Sequence, residues 1–216
     1  MTSESISFDV YHPRPLIVVI SGPSAAGKDA VVKELKNRNQ PFHFLVTATS
    51  RPPRQGETNG VDYWFVTKEQ FETMIANNEL AEYSIVYDDY KGIPKIQVEK
   101  ALQSGLDVIM RVDVQGAAKV CSIYPEAISI FLVPKDPEEW RQRLENRKTE
   151  TQEGLQRRME IAREEMTHMK AFDYVVVNPD CQLDQAADDI IHIIHAEHHR
   201  TVRQAESEMA QGRVEG

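Results

Sequence analysis

A glycine-rich segment near the start of the chain has the residue types and spacing of a phosphate-binding loop. It reads Gly-x4-Gly-Lys, with the lysine directly after the second glycine. The glycines let backbone N–H groups turn towards an anion, and a lysine at this position reaches the β- and γ-phosphates of a nucleotide. We therefore predict that the chain binds nucleotide phosphates through the following residues: Gly22, Pro23, Ser24, Ala25, Ala26, Gly27, Lys28 and Asp29.

Position 29 differs from the standard pattern of such loops. A serine or threonine usually follows the lysine and binds Mg²⁺ through its hydroxyl, whereas this chain has Asp29. A carboxylate beside a triphosphate is repulsive unless a cation neutralises it. We therefore expect Asp29 to bind Mg²⁺ or to pair with Arg111, which ends a strand predicted to neighbour the loop.

The residues on either side of the loop predict the elements that hold it. Residues 16–20 form an apolar run typical of a buried strand, and Val31, Val32 and Leu35 have the spacing of one helix face. A strand, a glycine loop and a helix N-terminus in this order form an anion site, because the helix dipole adds partial positive charge. An ordinary turn between a strand and a helix is the simpler alternative, which this context disfavours.

Strand and helix patterns alternate along most of the chain. Apolar runs predict strands at about 42–46, 63–66, 80–87, 107–112, 127–133 and 174–177. Helical patterns lie at about 28–38, 67–77 and 95–104. Further helices are predicted from about 114, over most of 137–169, and in a closing segment that ends at about 199. Such alternation is typical of an α/β fold with a parallel sheet.

The composition excludes several classes of protein. The 216 residues are 41% hydrophobic and 27% charged, as in ordinary globular proteins, and the formal net charge of −9 argues against a nucleic-acid-binding protein. No apolar run approaches the roughly 20 residues that span a bilayer. Cys121 and Cys181 lack the spacing of a disulfide framework, and the acidic N-terminal residues do not resemble a signal peptide. We expect a cytoplasmic protein without a nucleic-acid or membrane partner, and both cysteines in the core.

A second set of basic residues could hold another phosphate. Arg51 and Arg54 lie on a proline-bearing loop close to Tyr63, and two guanidinium groups with a phenol suit a phosphate dianion. A solvated surface loop is the alternative. Further arginines at 143, 147 and 158 lie among many glutamates, so surface ion pairs compete with anion binding as the explanation for them.

Three segments together with the phosphate loop closely resemble guanylate kinase. They read TSRPPRQGETNGVDYWF at 49–65, VDVQG at 112–116 and RLENRKTET at 143–151. The resemblance runs from about Pro15 to about His195. The details GKDA at 27–30, YKGIP at 90–94 and RVD at 111–113 look most like the plant organellar branch and its bacterial relatives.

The resemblance implies a P-loop nucleoside monophosphate kinase with an α/β fold. Such an enzyme transfers the γ-phosphoryl group of ATP, with Mg²⁺, to GMP and forms ADP and GDP. It implies a core at 14–46, 96–138 and 170–199, a GMP-binding insert at 47–95 and a helical lid at 139–169, followed here by a polar tail at 200–216. We expect ATP and GMP as its partners, with dGMP as a further candidate, and a monomer or homodimer.

The resemblance also implies roles for individual residues. The residues that match the GMP site are Thr47, Arg51, Arg54, Tyr63, Glu82 and Asp113. Lys91 departs from the family pattern but is expected to neutralise the GMP phosphate at the same site. The ATP site adds Arg143 and Asn178 to the phosphate loop, with Asp29 as a candidate Mg²⁺ ligand. The residues that match the positively charged catalytic side chains of the family are Lys28, Arg54, Arg147 and Arg158.

Glu82 is the expected specificity element, because a carboxylate accepts hydrogen bonds from both N1–H and the 2-amino group of guanine. Adenine has neither donor, and a site with an unpaired buried acceptor rejects such an analogue strongly. Two positions depart from the family on the GMP side. Lys91 and Ile93 replace a tyrosine and a hydroxyl residue, so Ile93 offers no donor to guanine O6. Arg111 stands where the family usually has an acidic residue.

Two other functions remain open at this point. Guanylate-kinase-like domains also occur as interaction modules without catalysis, and related kinases act on other phosphorylated small molecules. The retained Lys28 and the complete arginine loop favour a GMP kinase, whereas Ile93 leaves the second alternative open. Histidines at 192, 195, 198 and 199 have helical spacing, and we expect a solvated helix face rather than a metal site.

Overall fold

The larger of two sheets is built from β1, β2 and the last three strands of the chain. The computed structural model describes residues 14–86, 88–145 and 152–201. The strands are β1 (Ile17–Ser21), β2 (Phe42–Phe44), β7 (Asp107–Arg111), β8 (Ile128–Val133) and β9 (Tyr174–Val177). All neighbours are parallel, in the order β2, β7, β1, β8, β9. The central position of β1 places the loop that follows it at the middle of the carboxyl edge, where ligands of such sheets bind.

Alternate residues of β1 pack against helices on opposite faces of this sheet. The helices are α1 (Lys28–Asn37), α2 (Lys68–Ala76), α3 (Lys95–Gln103), α4 (Val114–Ile123), α5 (Pro137–Glu145), α6 (Gln152–Thr167) and α7 (Leu183–His198). Val18 and Ile20 contribute to the core that contains α1 and α7. Ile17 and Val19 contribute to the core that contains α3 and α4. A strand buried on both faces explains the unbroken apolar run of β1.

A smaller sheet lies between α1 and α3 in the chain. It consists of β3 (Ala48–Thr49), β4 (Trp64–Phe65), β5 (Leu80–Val86) and β6 (Asp89–Pro94), in the order β4, β3, β6, β5. Phe71 of α2 is fully buried against this sheet and stacks on Tyr90 with 5.0 Å between ring centroids. A capping box begins α2, since Thr67 and Gln70 bond each other's backbone N–H groups. The smaller sheet falls within the predicted insert, 47–95.

Most predicted elements are found, but β3 and β6 were missed. β3 has only two residues, and β6 contains Gly92 and Pro94, which are uncommon in strands. Antiparallel pairing with β5 and β3 stabilises β6 despite them. The prediction of two core cysteines was wrong for Cys181, which is exposed, and Cys121 is only half-buried.

Candidate active site

The phosphate loop joins β1 to α1 in a conformation that requires glycine at both ends. Gly22 and Gly27 have φ values of 140° and 92°. A Cβ atom on Gly22 would lie 2.2 Å from the carbonyl oxygen of Leu132, and one on Gly27 would lie 2.3 Å from Asn178 Nδ2. The glycines therefore permit both the backbone turn and the close packing against β8 and the loop after β9.

Lys28 is folded back over the loop. Its Nζ donates hydrogen bonds to the carbonyl oxygens of Gly22 and Pro23, the latter at 3.0 Å. Burial lowers the pKa of Lys28 to about 8, although the nearby Glu165 carboxyl acts in the opposite direction. An anionic phosphate in the loop would favour the charged form, so nucleotide binding and protonation of Lys28 support each other.

Two helices of the predicted lid hold the loop at Ser24. Glu165 of α6 accepts a hydrogen bond from the Ser24 N–H at 2.9 Å, and Trp140 of α5 donates from Nε1 to the Ser24 carbonyl at 2.9 Å. Both side chains were missed in the sequence, because each lies more than one hundred positions from Ser24 and neither belongs to a motif. Burial raises the pKa of Glu165, and Lys28 opposes this effect.

Arg143 and Asn178 fix the other side of the loop. Asn178 is buried and donates to the Ala26 carbonyl at 2.9 Å. Arg143 donates to the Asn178 carbonyl at 2.8 Å and pairs with Asp180 at 2.7 Å and Glu139 at 2.5 Å. Both predicted ATP-site residues therefore contact or adjoin the loop, and Arg143 is held there by carboxylates.

Asp29 pairs with Arg111, which is one of the two arrangements that we expected from the sequence. Arg111 Nη1 lies 2.9 Å from Asp29 Oδ1, and the Tyr63 hydroxyl donates to the same oxygen at 3.4 Å. Burial acts to raise the pKa of Asp29, but Arg111 and Lys28 outweigh it and hold the pKa below its usual value. The carboxylate is thus ionised, neutralised on one side and partly exposed.

Arg51 and Arg54 are organised by Glu57. The two Nη groups of Arg51 donate to the two Glu57 oxygens at 2.7 and 2.6 Å, and the Arg54 N–H donates to Glu57 at 2.7 Å. Arg51 also lies over the rings of Tyr63 and Phe65, at 4.8 and 5.4 Å from their centroids. The guanidinium of Arg51 is thus buried and stacked, whereas Arg54 and the two residues between the arginines are exposed, as in the surface-loop alternative. Glu57 was missed, although its charge and its place six residues after Arg51 are a usable signal.

Two buried carboxylates lie at the far end of the site. Glu82 on β5 is 7% exposed, and burial together with the neighbouring Asp113 raises its pKa to about 7, while Lys119 opposes the shift. Asp113 caps α4 through the Gly116 N–H at 2.8 Å and accepts a hydrogen bond from Ser84 at 2.7 Å. Glu82 Oε2 has no hydrogen-bond partner among the residues that the structure describes. Lys119 Nζ lies 3.9 Å from the same oxygen, which is an ion-pair distance but too long for a hydrogen bond. A ligand with N–H donors would supply the hydrogen bonds that this acceptor lacks.

A cleft of about 300 Å³ joins these groups. It is lined by the loop from Ser24 to Ala30 and by Arg51, Arg54, Tyr63, Val86, Asp89, Lys91, Asp113, Arg158 and Glu165. A smaller recess of about 30 Å³ is lined by Thr47, Glu82, Gly92, Arg111 and Val112. Lys28, Tyr63, Lys91 and Asp113 line both spaces, which therefore adjoin. The phosphate loop, the arginines of the insert and the two buried carboxylates thus lie around neighbouring spaces.

A sequence model of guanylate kinase matches residues 13–197. The chain belongs to the guanylate kinase family. Among curated relatives, guanylate kinase 2, chloroplastic/mitochondrial, of Oryza sativa subsp. japonica is 51% identical over 88% of this chain and 68% of its own. The guanylate kinase of Halalkalibacterium halodurans is 43% identical over 85% and 89% of the two chains.

A solved guanylate kinase has the same fold. The crystal structure from Anaplasma phagocytophilum superposes with a TM-score of 0.70 at 28% identity, over 90% of this chain and 92% of that one. The predictions of the family, of the α/β fold with a parallel sheet and of ATP-dependent GMP phosphorylation are confirmed by these matches.

The remaining predicted residues take different places around the cleft. Arg158 of α6 lines the cleft, whereas Arg147 lies outside the described residues. Lys91 faces both spaces, and burial lowers its pKa against the effect of Asp113. Ile93 is 1% exposed and packs in the core with Val98 rather than in the cleft. The position that would carry a hydroxyl therefore contributes only packing.

Three further observations bear on metals and membranes. Across the described ranges, no group of three His, Cys, Asp or Glu residues is arranged to hold a metal ion, and no helix is long and apolar enough to cross a bilayer. His192, His195 and His199 are exposed, as expected of a solvated face. The expectation was wrong for His198, whose side chain is 15% exposed and bonds Asp107 at 2.9 Å. Mg²⁺ in nucleotide kinases needs only one or two protein oxygens with phosphates, and the partly exposed Asp29 carboxylate fits that requirement.

Proposed function

We propose that the cleft binds ATP at the phosphate loop and GMP at the insert, and that the chain transfers the γ-phosphoryl group between them. The observation that carries this assignment is that the cleft at the phosphate loop adjoins the recess lined by Glu82, with Asp113 lining both. An interaction module would not need a phosphate loop beside such an acceptor pair.

The GMP site recognises both ends of its ligand. Arg54 and Tyr63 bind the phosphate together with the positive charge of Arg51. Both Nη groups of Arg51 are bonded to Glu57 without ligand, so bidentate binding by Arg51 requires an exchange of partners. Glu82 accepts from N1–H and the 2-amino group of guanine, assisted by Asp113 and Thr47. Adenine would leave the Glu82 carboxylate buried and unpaired, which disfavours AMP.

The transfer itself requires two polyanions to approach. The second pKa of a phosphate monoester lies near 6, so the attacking oxygen of GMP is already anionic at neutral pH and no general base is needed. Lys28, the loop N–H groups, Arg54, Arg147 and Arg158 offset the repulsion, and Lys91 adds a positive charge between the two sites. Such preorganised charge acts most strongly on the transition state, where charge spreads over the transferred group.

Asp29 and the nucleotide phosphates would hold Mg²⁺, which supplies charge neutralisation at the β- and γ-phosphate oxygens. The Asp29–Arg111 pair keeps the net charge at this point close to neutral when the metal is absent. A cytoplasmic location and a monomer or homodimer stay predictions from the sequence, and the name of the rice relative assigns that protein to chloroplasts and mitochondria.

Coupled ADP release tests the proposal. Purified protein with ATP and Mg²⁺ is expected to turn over GMP, and dGMP more slowly, but not AMP, UMP or CMP. Lys28→Ala should remove turnover while GMP binding persists, because Lys28 contacts the transferred phosphates. Equal turnover of AMP, or GMP binding without turnover by the wild type, would contradict the assignment.

A further inference from the structure

Arg111 contacts the phosphate loop and the insert at the same time. It ends β7, next to the central strand β1. Nη1 pairs with Asp29 at the start of α1, while Nη2 donates to the carbonyl oxygen of Asp62 at 2.6 Å. The guanidinium carbon lies 4.2 Å from the centroid of the Tyr63 ring. Three different parts of one side chain therefore hold three residues from two binding regions.

Neutralising Asp29 does not require all of these contacts. An ion pair uses one edge of the guanidinium, yet here the second amino group and the π-face engage residues of the insert. The side chain is only 11% exposed, so it has little freedom to leave this arrangement. Lysine has neither the planar face nor the second donor fork, so it could not make the same set of contacts.

Two of the three partners of Arg111 belong to the binding regions assigned above. Asp29 lines the cleft beside the phosphate loop, and Tyr63 lines the cleft on the GMP side. Tyr63 also donates to Asp29, which closes a triangle of contacts among the three side chains. A shift of Asp29 on ATP binding must therefore act on Arg111 and Tyr63, and a shift of Tyr63 on GMP binding must act on Asp29.

We propose that Arg111 is a positioning residue that couples the two nucleotide sites, so that ATP and GMP bind with positive cooperativity. This inference rests on the proposed function of the cleft. The first nucleotide shifts one corner of the triangle of Asp29, Arg111 and Tyr63, and the contacts of Arg111 carry that shift to the second site. The positive charge of Arg111 also lies between two anionic ligands and reduces their mutual repulsion.

The test measures the dissociation constant of GMP by calorimetry, with and without a non-hydrolysable ATP analogue and Mg²⁺. The ratio of the two constants is the coupling factor, and coupled sites commonly give about 5-fold or more. Arg111→Met keeps much of the side-chain volume without the charge or the fork. Asp29→Asn weakens the Asp29–Arg111 ion pair by removing the negative charge, and it provides the test if Arg111→Met does not fold.

Arg38→Met is the matched control, because Arg38 lies at the far end of α1 and pairs with Glu34, Asp184 and Asp188 away from the cleft. We expect a wild-type coupling factor in this control. The factor should fall to within about twofold of unity in Arg111→Met and decrease in Asp29→Asn. The double variant should show no further decrease, because both changes break one linkage.

Each other outcome is decisive. If the wild type phosphorylates GMP but its two nucleotides bind without coupling, this inference alone is overturned. The same holds if folded Arg111→Met keeps the wild-type coupling factor. Failure of the wild type to bind or phosphorylate GMP overturns the inference together with the proposed function. Loss of affinity for each nucleotide alone, with the wild-type ratio retained, also overturns it, because that pattern indicates two independent local effects.

Discussion

The ATP side and the GMP side of the cleft are built in different ways. The ATP side is a backbone structure, in which Gly22 and Gly27 leave no room for a Cβ atom and most partners of the loop bond its carbonyl and N–H groups. The GMP side is a set of side chains from separate segments, some of which are already held by a neighbour, such as Arg51 by Glu57 and Asp113 by Ser84. Recognition is thus generic on one side and chemically specific on the other.

The difference explains where this chain departs from its family. Asp29 replaces a hydroxyl on the ATP side, where backbone groups supply most of the binding, and a new partner at Arg111 accommodates it. On the GMP side, Ile93 is withdrawn into the core, and the acceptors Glu82 and Asp113 remain. Changes to glycines should therefore impair the ATP side, whereas changes to charges should impair the GMP side.

The largest expected effect is on GMP specificity. Glu82→Gln replaces an acceptor by a group that presents N–H donors to the N–H donors of guanine. Loss of two hydrogen bonds to a buried charge predicts a fall of about 100-fold or more in kcat/KM for GMP, with little change in ATP affinity. Steady-state kinetics with each substrate varied checks this split. Equal loss for ATP and GMP would show that the two sides are not separable.

A smaller effect is expected from the second glycine of the loop. Gly27→Ala introduces a Cβ 2.3 Å from Asn178 at a positive φ, and it should raise KM for ATP about 10-fold or more while GMP affinity changes little. Gly56→Ala is the control, since Gly56 also has a positive φ but no atom lies within 4 Å of the position that its methyl group would take. Similar ATP kinetics in both variants would mean that the clash with Asn178 is unimportant.

Glu82 should also make stability depend on pH. Its folded pKa of about 7 lies above the ordinary value of 4.5, so its contribution to stability is fully present below about pH 4.5 and is lost as the pH rises through 7. Glu82→Gln should therefore gain stability over the wild type at pH 8, by on the order of 2 kcal/mol, and little at pH 4.5. Denaturant unfolding at both values checks this.

The exposed Glu99 of α3 provides the control for that measurement. Glu99→Gln should have the same free energy of unfolding as the wild type at both pH values. A Glu82→Gln variant that is equally or less stable at pH 8 would show that the buried carboxylate is satisfied in the free protein, contrary to its orphaned Oε2 atom.

The smallest expected effect concerns the lid. Trp140→Phe removes the hydrogen bond from Nε1 to the Ser24 carbonyl but retains an aromatic ring. One neutral hydrogen bond contributes about 1 kcal/mol, which corresponds to roughly a 5-fold increase in KM for ATP and no change for GMP. An increase confined to GMP would show that the lid acts on the opposite side of the cleft.

The two sides also differ in how far the sequence predicts them. The phosphate loop and the strand and helix around it are local in sequence, so spacing alone predicts their structure. Arg51, Arg54 and Tyr63 were predicted as residue types, but the pairing with Glu57 was not. The contacts of Ser24 with Trp140 and Glu165 join segments distant in the chain, and glutamates are so frequent in the lid that nothing distinguishes Glu165.

Arg111 and Asp29 are an instructive intermediate case. Two departures of opposite charge on neighbouring strand and helix ends predicted an ion pair, and the structure contains it at 2.9 Å. The stacking on Tyr63 and the bond to Asp62 depend on how the insert folds back over β7, which no local pattern encodes. Charge complementarity was therefore predictable, whereas the link between the two sites required the tertiary structure.

The most direct test follows the γ-phosphoryl group itself. ATP labelled at the γ-position is incubated with Mg²⁺, either GMP or AMP, and wild-type, Lys28→Ala or Glu82→Gln protein, and the labelled products are separated. The account predicts labelled GDP from the wild type, almost none from Lys28→Ala, and much less at low GMP from Glu82→Gln. Label released only as inorganic phosphate, or transferred equally to AMP, would contradict it.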